Sequence, residues 1–542
     1  MFLRLKHFKN KDGSTRSYLQ LVENIRVGNK TRQKVLVNLG RVDDLQNSGQ
    51  IDRLIESLRN FSTKEWIRKE ALNVNQTYLW GPVIIFEQLW KELGIERVLK
   101  RLLGDTDAVS DYVEAIFAMV LNRLVEPRSK RGVDRWVSKV YRPEFEQLSL
   151  QHYYRGLDYL EKFKEEVEEE LFSNVKTLFN LNLDLVFWDT TSTYFQGEGP
   201  ELSMYGRSKD HRSDCKQVMI GVLMTKDGFP VAHQIFPGNT ADIDTFRIAL
   251  EDIRRRFNID RVIVVADRGM ISNGLIEEID KTGLSYIFGV KMRRSKRVEA
   301  VLNQPGDYEE VEENLKVKEV LHEGERYVIC FNPFQAERDR IKREEIVKNL
   351  TKKLKQGPKS LVGNRGYRRY LSMQKTDVKI DQEKMASEVK YDGKYVLRTN
   401  TKLTNREVAQ SYKLLWKVER AFRELKSGLD LRPIYHYTDT RVKGHIMICF
   451  LALVMETALC RKLKEIGSTF SYAEILEDLK EIRAVEITAE NKRFLARTEN
   501  NYGQCLRRFQ SNQDKTAGST QRDCIIDHCG GMSVFLFIFS LV

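Results

Sequence analysis

The chain has 542 residues, of which 41% are hydrophobic and 31% are charged, and this composition is typical of a globular protein with a charged surface. Its 32 glycines and 10 prolines exclude collagen-like, mucin-like and wholly disordered chains. The 90 Lys and Arg residues exceed the 77 Asp and Glu residues, which gives a formal net charge of +13. This excess favours a polyanionic partner, nucleic acid first and an acidic membrane surface second, while a basic protein without such a partner stays open.

The length allows about three or four domains. Seven cysteines are a sparse and odd set, so we expect no disulfide framework and a reducing compartment. The N-terminal residues lack the apolar segment of a secretory signal. The apolar stretches at residues 446–459 and 532–542 are too short to span a bilayer. We therefore expect no membrane partner.

Residues 1–45 predict a small basic β module. Alternating runs at 18–22 and 34–38 flank turn signals around Gly13 and Gly28. Residues 1–42 contain ten Lys and Arg against two acidic residues. Two interpretations stay open, because the sheet either grips a DNA backbone or presents an ordinary solvated face.

Residues 46–180 predict a helical region, with helical periodicity at 51–61, 83–103, 111–124 and 151–179. Strand patterns begin near residue 183 and define residues 181–290 as the first part of an α/β core. Its predicted strands cover 183–189, 218–224, 231–236, 262–267 and 285–290, with helices at 242–257 and 273–282. Apolar strands between helices indicate a mixed sheet that is covered on both faces.

Residues 291–394 are charged and predict a basic insertion domain with a helix at 336–354. Residues 395–462 return to the core through a strand at 394–398, a helix at 404–427 and a buried apolar helix at 439–462. Thr404 and Glu407 form the capping-box pattern of the first helix, and Gly428 stands where a C-terminal cap glycine is expected. Residues 463–542 predict a C-terminal region that is partly disordered, above all at 510–530.

Three carboxylates are candidate functional groups. Asp189 and Asp267 each follow an apolar strand, and strand ends are where sites form in open α/β sheets. Tyr412, Glu419 and Lys426 are spaced seven apart, which predicts one line beside the apolar stripe of the 404–427 helix. Ordinary strand-ending caps and an amphipathic helix rim are the structural alternatives. Carboxylates without a His or Cys cluster favour a hard cation such as Mg²⁺, and paired Mg²⁺ ions serve phosphodiester chemistry.

Three motifs carry a resemblance to a known family. The runs WDTTSTY at 188–194 and ADRGM at 266–270 resemble the first two catalytic aspartate motifs of bacterial insertion-sequence DDE transposases. Residues 412–426 resemble the third motif, the Y-(2)-R-(3)-E-(6)-K signature of the insertion-sequence-four-like branch, with Leu415 in place of its Arg. The three carboxylates are separated by 78 and 152 residues, and the longer gap contains the insertion.

The resemblance implies an α/β fold with an RNase-H-like mixed-sheet catalytic core that is interrupted by an insertion domain. It implies that residues 46–180 bind the transposon end. Members cut both strands at the element's terminal inverted repeats, often through hairpin ends, and join the 3′ ends to target DNA. The implied partners are double-stranded DNA and a second copy of the chain, in a bacterial cytoplasm near the nucleoid. The alternative is a catalytically inactive or co-opted DNA-binding relative.

The resemblance also implies roles for single residues. The catalytic residues and ligands of two Mg²⁺ ions, for which Mn²⁺ substitutes, are Asp189, Asp267 and Glu419. The residues implied to contact DNA phosphates are Tyr412, Lys426, Arg423 and Arg268.

Overall fold

The protein is described here from a computed structural model. It describes residues 1–28, 30–61, 72–104, 107–179, 185–257, 263–267, 273–293, 295–355, 370–374, 377–489 and 492–497. These residues fall into two compact units, one of residues 1–76 and 485–496 and the other of residues 77–484 and 497.

The first unit begins with a three-stranded antiparallel sheet of β1 (Phe2–Lys9), β2 (Thr15–Val27) and β3 (Lys30–Arg41). The β1–β2 turn uses Gly13 at φ 83°, a left-handed conformation that favours glycine, and the Ser14 amide donates to Asp12 Oδ1 at 3.0 Å. Helices α1 (Val42–Asn47) and α2 (Gln50–Arg59) follow, and then strand β4 (Leu72–Leu79). The small N-terminal β module of the predicted fold is confirmed, whereas β4 falls in a region predicted to be helical.

The helices of the second unit begin after β4. They are α3 (Gly81–Glu92), α4 (Ile95–Leu103), α5 (Asp107–Val125), α6 (Lys130–Trp136), α7 (Leu150–Lys162) and α8 (Lys164–Leu178), with 3-10 turns at Val137–Lys139 and Pro143–Phe145. The predicted helices at 83–103 and 151–179 are each two helices. The first breaks at Gly94, whose φ of 72° ends α3 and starts α4 in a new direction.

The central sheet starts with three antiparallel strands and continues with two parallel ones. Its elements are β5 (Leu185–Tyr194), β6 (Gln217–Thr225), β7 (Pro230–Pro237), α9 (Asp242–Phe257), β8 (Ile263–Ala266), α10 (Asn273–Thr282) and β9 (Ser285–Val290). Strand β8 lies beside β5 and parallel to it, and β9 lies parallel to β8, which gives the order β7-β6-β5-β8-β9. This is the arrangement of an RNase-H-like core, so the predicted fold class is confirmed.

The inserted segment extends this sheet. Its elements, with the strand that follows them, are α11 (Lys296–Asn303), β10 (Glu309–Glu312), β11 (Leu315–His322), β12 (Glu325–Phe331), α12 (Pro333–Lys355), β13 (Leu371–Gln374), β14 (Asp377–Ile380), α13 (Gln382–Val389) and β15 (Lys394–Thr399). Strand β15 pairs with both β9 and β12, so the described strands form a nine-stranded sheet. Part of the insertion is therefore continuous with the core.

The predicted single helix at 404–427 is wrong. The structure has α14 (Asn405–Lys413), α15 (Trp416–Arg423) and a π-helical turn (Glu424–Gly428). The capping box is confirmed, because the Thr404 amide donates to Glu407 Oε2 at 2.8 Å and the Glu407 amide donates to Thr404 Oγ1 at 3.3 Å. Gly428 ends the π turn and lacks the positive φ that a cap glycine requires. Because the helix breaks at residues 414–415, the spacing of seven does not keep Tyr412 and Glu419 on one continuous helix.

The last described elements are α16 (Asp439–Glu465), α17 (Tyr472–Glu481), β16 (Arg483–Ala489) and β17 (Lys492–Arg497). Helix α16 is buried along most of its length and packs against α5, α7 and β7, as its apolar sequence predicts. Strands β17, β16 and β4 form a small sheet in that order. In the part of the chain that the structure describes, no helix is both long and apolar enough to cross a membrane. The predicted disorder at 510–530 lies outside the described residues.

Candidate functional site

Asp189 and Asp267 lie side by side on neighbouring parallel strands. The register pairs Val186 with Val264 and Phe187 with Val265. Continued by two residues, it brings Asp267 level with Asp189, about 4.8 Å across the sheet and on the same face. The sequence interpretation that Asp189 ends its strand is wrong, because β5 continues to Tyr194. It is β8 that ends, at Ala266, one residue before Asp267.

The surroundings of Asp189 disfavour its negative charge. Burial raises the pKa of Asp189 to about 6, and the nearby carboxylates of Asp267 and Asp242 act in the same direction. The Lys209 ammonium and a 2.7 Å hydrogen bond from the Thr190 amide oppose this shift. Burial, with the nearby carboxylates adding to it, therefore outweighs the stabilisation that Lys209 and the Thr190 amide give to the Asp189 charge.

Lys209 connects this charge to the loop before β6. Its ammonium donates to the Thr190 carbonyl oxygen and to Thr190 Oγ1, both at 2.7 Å, and lies 3.4 Å from Asp242 Oδ1. Thr190 Oγ1 in turn donates to Asp242 Oδ1 at 2.7 Å. This chain of contacts ties the middle of β5 to the start of α9.

Tyr412 contacts the second aspartate. Its hydroxyl donates to Asp267 Oδ1 at 2.7 Å, and its ring stacks on Tyr395 with 5.7 Å between ring centroids. The predicted role of Tyr412 was a contact to DNA phosphate. In the structure its hydroxyl orients the Asp267 carboxylate, because α14 packs against β8 and β9, and the contact to DNA phosphate stays a prediction.

Lys426 is held in an ion pair with a buried aspartate. Its ammonium and the Arg432 guanidinium both lie 2.6 Å from Asp210 Oδ1, and the Lys426 and Asp210 side chains are only 10% and 7% exposed. Burial lowers the pKa of Lys426, while the bond to Asp210 opposes that change. The Arg432 guanidinium also lies over the Tyr194 ring, 5.9 Å from its centroid, next to the end of β5. Lys426 is thus close to the core but already has a carboxylate partner.

The other predicted site residues are exposed or lie outside the described residues. Glu419 and Arg423 are exposed on α15, a helix that packs against β5. Arg268 lies outside the described residues. Within the described ranges, no group of three or more His, Cys, Asp and Glu side chains is arranged to hold a metal ion. The structure thus brings Asp189 and Asp267 together and leaves Glu419 facing solvent on a neighbouring helix.

The paired aspartates fit a divalent cation. Carboxylate oxygens are the donors that Mg²⁺ and Mn²⁺ prefer. A positive ion beside Asp189 and Asp267 would favour the charged form of Asp189, against the burial and the nearby carboxylates that raise its pKa. Glu419 would complete the donor set from α15. The residues present are therefore suited to a hard metal ion.

Sequence reasoning missed a second group of charged residues around the aspartates. They are Lys209, Asp210, Asp242 and Arg432. Lys209 and Asp210 lie in an irregular loop, and Asp242 opens a helix, where an acidic residue is ordinary. The sequence feature that could have indicated these residues is the density of charge in residues 207–216. That density alone does not distinguish a functional site from a solvated loop.

Comparison with known proteins assigns the chain to a family. The family model of the transposase DDE domain matches residues 183–455, half of the chain, and the chain belongs to this family. The match runs from just before β5 into α16 and includes all three predicted catalytic carboxylates. DDE transposase domains generally use divalent metals.

A second family model matches the N-terminal part of the chain. Residues 3–70 match the N-terminal domain of the IS1634 family transposases. The chain is also similar to a structure of the Mos1 transposase paired-end complex with left transposon end, at 11% identity and a TM-score of 0.15. That match covers 31% of this chain and 56% of the other, so it spans just over half the length of that relative. No curated protein matches the chain. The predicted resemblance to insertion-sequence DDE transposases is confirmed.

Proposed function

We propose that the chain binds the terminal inverted repeats of its insertion sequence and catalyses DNA strand cleavage and strand transfer. The reaction is cut-and-paste transposition, with hairpin-ended DNA as its intermediate. The single observation that supports this most strongly is the juxtaposition of Asp189 and Asp267 at the end of β8 in an RNase-H-like sheet. The match of the third motif to the insertion-sequence-four-like branch, apart from Leu415, belongs to the same proposal.

Asp189, Asp267 and Glu419 are the residues that would hold two Mg²⁺ ions, for which Mn²⁺ can substitute. Such ions supply an activated water or 3′-hydroxyl nucleophile and stabilise the leaving oxygen of a phosphodiester. Tyr412 fixes the Asp267 carboxylate through its 2.7 Å hydrogen bond. Lys209 offsets part of the carboxylate charge when no ion is present.

DNA contacts are proposed for the basic parts of the chain. The cationic side chains of the catalytic motifs proposed to contact DNA are Arg268, Arg423 and Lys426, and Arg432 lies beside Lys426 on Asp210. Lys426 would exchange its Asp210 partner for a DNA phosphate, and Tyr412 would reach a phosphate only from beside Asp267. The basic module at 1–45, the transposon-end-binding helical region at 46–180 and the insertion at 291–394 would bind more of the backbone. Two copies of the chain would hold the two transposon ends together in the bacterial cytoplasm, near the nucleoid.

The test is cleavage of a duplex that carries the element's terminal repeats, with and without Mg²⁺. We expect wild type to cut only with Mg²⁺ or Mn²⁺, and Asp189→Asn, Asp267→Asn and Glu419→Gln each to lose at least about 10³-fold in rate. Asp227→Asn is the matched control, because Asp227 is 53% exposed in a hairpin turn. It should cut at the wild-type rate.

One outcome of this test separates an active enzyme from an inactive DNA-binding relative, and a second outcome tests the role of Glu419. If wild type and all variants bind the repeats but none cuts with any divalent metal, the chain is an inactive DNA-binding protein. If Glu419→Gln alone keeps wild-type activity, Glu419 is not a metal ligand and its exposure on α15 reflects an ordinary surface position. Denaturing gels that resolve hairpin products decide whether the hairpin step occurs.

A further inference from the structure

A small cavity with basic walls lies between α5, α6, α16 and the segment after the π-helical turn. Its volume is about 260 Å³. The cavity, which we call the Lys130 pocket, is lined by basic and imidazole side chains, namely Arg123, Arg128, Lys130, Arg131, His436 and His445. Among its described lining residues only Asp430 carries a carboxylate. The pocket therefore combines a confined volume with an excess of positive charge.

Lys130 is a buried cation for which the described residues supply no anionic partner. It is 4% exposed, and its ammonium has one neighbour at hydrogen-bonding distance, His445 Nδ1 at 3.5 Å. His445 Nε2 faces the Leu431 carbonyl oxygen at 3.4 Å, so the ring donates there and accepts from Lys130. No carboxylate among the described residues forms an ion pair with Lys130. A buried charge of this kind is costly unless a counter-ion binds.

The neighbours of Lys130 add to that cost. Arg123 is 5% exposed, and burial together with the Arg123 charge lowers the pKa of Lys130 to about 7. Burial also lowers the pKa of His436 to about 3 and that of His445 well below its usual value, with Lys130 acting in the same direction on both. Both imidazoles are therefore neutral at physiological pH and serve as hydrogen-bonding groups. A bound anion would relieve the repulsion between Lys130 and Arg123.

The donors are held in place before any ligand binds. Arg123 donates to the carbonyl oxygens of Asp430 at 2.8 Å, Leu429 at 3.3 Å and Arg128 at 3.0 Å. These bonds tie the chain after the π-helical turn to the loop before α6. Arg123 is therefore a fixed positive charge in the pocket wall, and no side chain has to be ordered to place it there when an anion binds.

The pocket shares a wall with the catalytic region. The segment from Leu429 to His436 supplies its lining, and the same segment carries Arg432, which pairs with Asp210 beside Lys426. We propose that the Lys130 pocket binds a phosphate oxyanion, and that this phosphate belongs to the DNA backbone. The assignment to DNA rests on the proposed function, whereas the oxyanion site stands without it.

The test compares wild type with Lys130→Met, which keeps the length and apolar stem of the side chain and removes its charge. The matched control is Lys139→Met, because Lys139 is exposed in the same part of the chain. Thermal unfolding is measured in sodium phosphate against sodium chloride at equal ionic strength. Binding of a repeat-bearing duplex is measured by fluorescence anisotropy between 50 and 200 mM salt.

If the pocket binds phosphate, inorganic phosphate raises the unfolding temperature of wild type and Lys139→Met by on the order of 2 °C and leaves Lys130→Met unchanged. If the phosphate comes from DNA, Lys130→Met lowers the slope of log affinity against log salt by about 0.9, which is roughly a 3.5-fold smaller loss of affinity over this salt range. A phosphate effect with an unchanged DNA slope retains the oxyanion site and overturns its assignment to DNA.

Equal responses of wild type and Lys130→Met to both phosphate and DNA overturn the proposal. Without phosphate, Lys130→Met should unfold at or above the wild-type temperature, because it removes an unpaired buried charge. A large loss of stability in this variant would instead mean that Lys130 has a stabilising partner, which also overturns the proposal. Cleavage by wild type is scored separately, so failure of the pocket is distinguishable from failure of the transposase function.

Discussion

Asp210 carries the sharpest prediction about the site, because one carboxylate oxygen holds two cations. Asp210→Asn keeps the shape of the side chain and removes the charge that pairs with Lys426 and Arg432, each at 2.6 Å. Breaking a buried ion pair costs about 3–5 kcal/mol, since the remaining charge is left without a partner. Lys426 is 10% exposed and remains buried, whereas Arg432 is 28% exposed and can turn to water. We therefore expect the lower end, a loss of about 3 kcal/mol of unfolding free energy.

The assay is urea unfolding followed by tryptophan fluorescence. Five of the six tryptophans lie in residues 77–484, so the signal reports on the unit that contains Asp210. A double-mutant cycle with Lys426→Met measures the coupling directly. We expect the double variant to be less destabilised than the sum of the single variants by at least about 1 kcal/mol, because removing both charges leaves neither unpaired.

The matched control is Asp214→Asn, a change of the same kind in the same loop. Asp214 is 64% exposed and pairs with Arg212 at the surface, so its loss should leave the unfolding midpoint unchanged. Single-variant effects that add to within about 0.5 kcal/mol would refute the reasoning, because they would show that Asp210 and Lys426 do not interact.

Three further changes test other parts of the unit. Glu168→Gln should cost about 3 kcal/mol or more, because fully buried Glu168 contacts His233 Nδ1 at 2.6 Å and pairs with two cations, Lys164 and Arg256. Burial acts to raise the pKa of Glu168, but these cations hold it well below its usual range. The ionised carboxylate therefore contributes fully to the free energy of unfolding above about pH 5. This contribution declines as the pH falls below about 4.3. Urea unfolding between pH 7 and pH 3 should therefore show less acid sensitivity in Glu168→Gln than in wild type. Tyr412→Phe should raise the Mg²⁺ concentration for half-maximal cleavage by about tenfold, since it removes the donor that orients Asp267. Thr404→Ala should cost about 1 kcal/mol in urea unfolding through loss of the capping box of α14.

Each of these changes has an exposed counterpart as control. Glu166→Gln, Tyr205→Phe and Thr351→Ala alter exposed residues of the same types and should leave stability and cleavage unchanged. Equal acid sensitivity in Glu168→Gln and wild type would contradict the sign of the Glu168 shift. Unchanged Mg²⁺ dependence in Tyr412→Phe would mean that Tyr412 does not support a metal ligand.

Local sequence patterns predicted the elements that carry Asp189 and Asp267, because apolar strands and their neighbours have a clear signature. The extent of β5 was missed because the polar run after Asp189 looks like a turn. Its Thr190, Thr191 and Thr193 are β-branched, pair with β6 and are buried. A pattern read along the chain does not contain that partner strand.

The division of the 404–427 helix was also beyond local patterns. The periodicity is continuous through residues 414–415, and the break appears only where α14 packs against β8 and β9 while α15 packs against β5. Tertiary packing overrides helix propensity at such a point. The same limit explains why Asp210 was missed, since its partner Lys426 is 216 residues away in the chain.

The charge pattern of the site bears on how DNA would enter it. Lys426 and Arg432 are positive groups near the core, yet both already share the single negative charge of Asp210. A DNA phosphate at Lys426 must compete with the Asp210 carboxylate 2.6 Å away. Its binding free energy there is therefore only the difference between a Lys426–phosphate and a Lys426–Asp210 ion pair. Lys130 has no such competitor among the described residues, so a phosphate gains a full partner there. The net charge of +13 is therefore a poor guide to binding strength, because a cation attracts DNA only to the extent that the fold has left it unpaired.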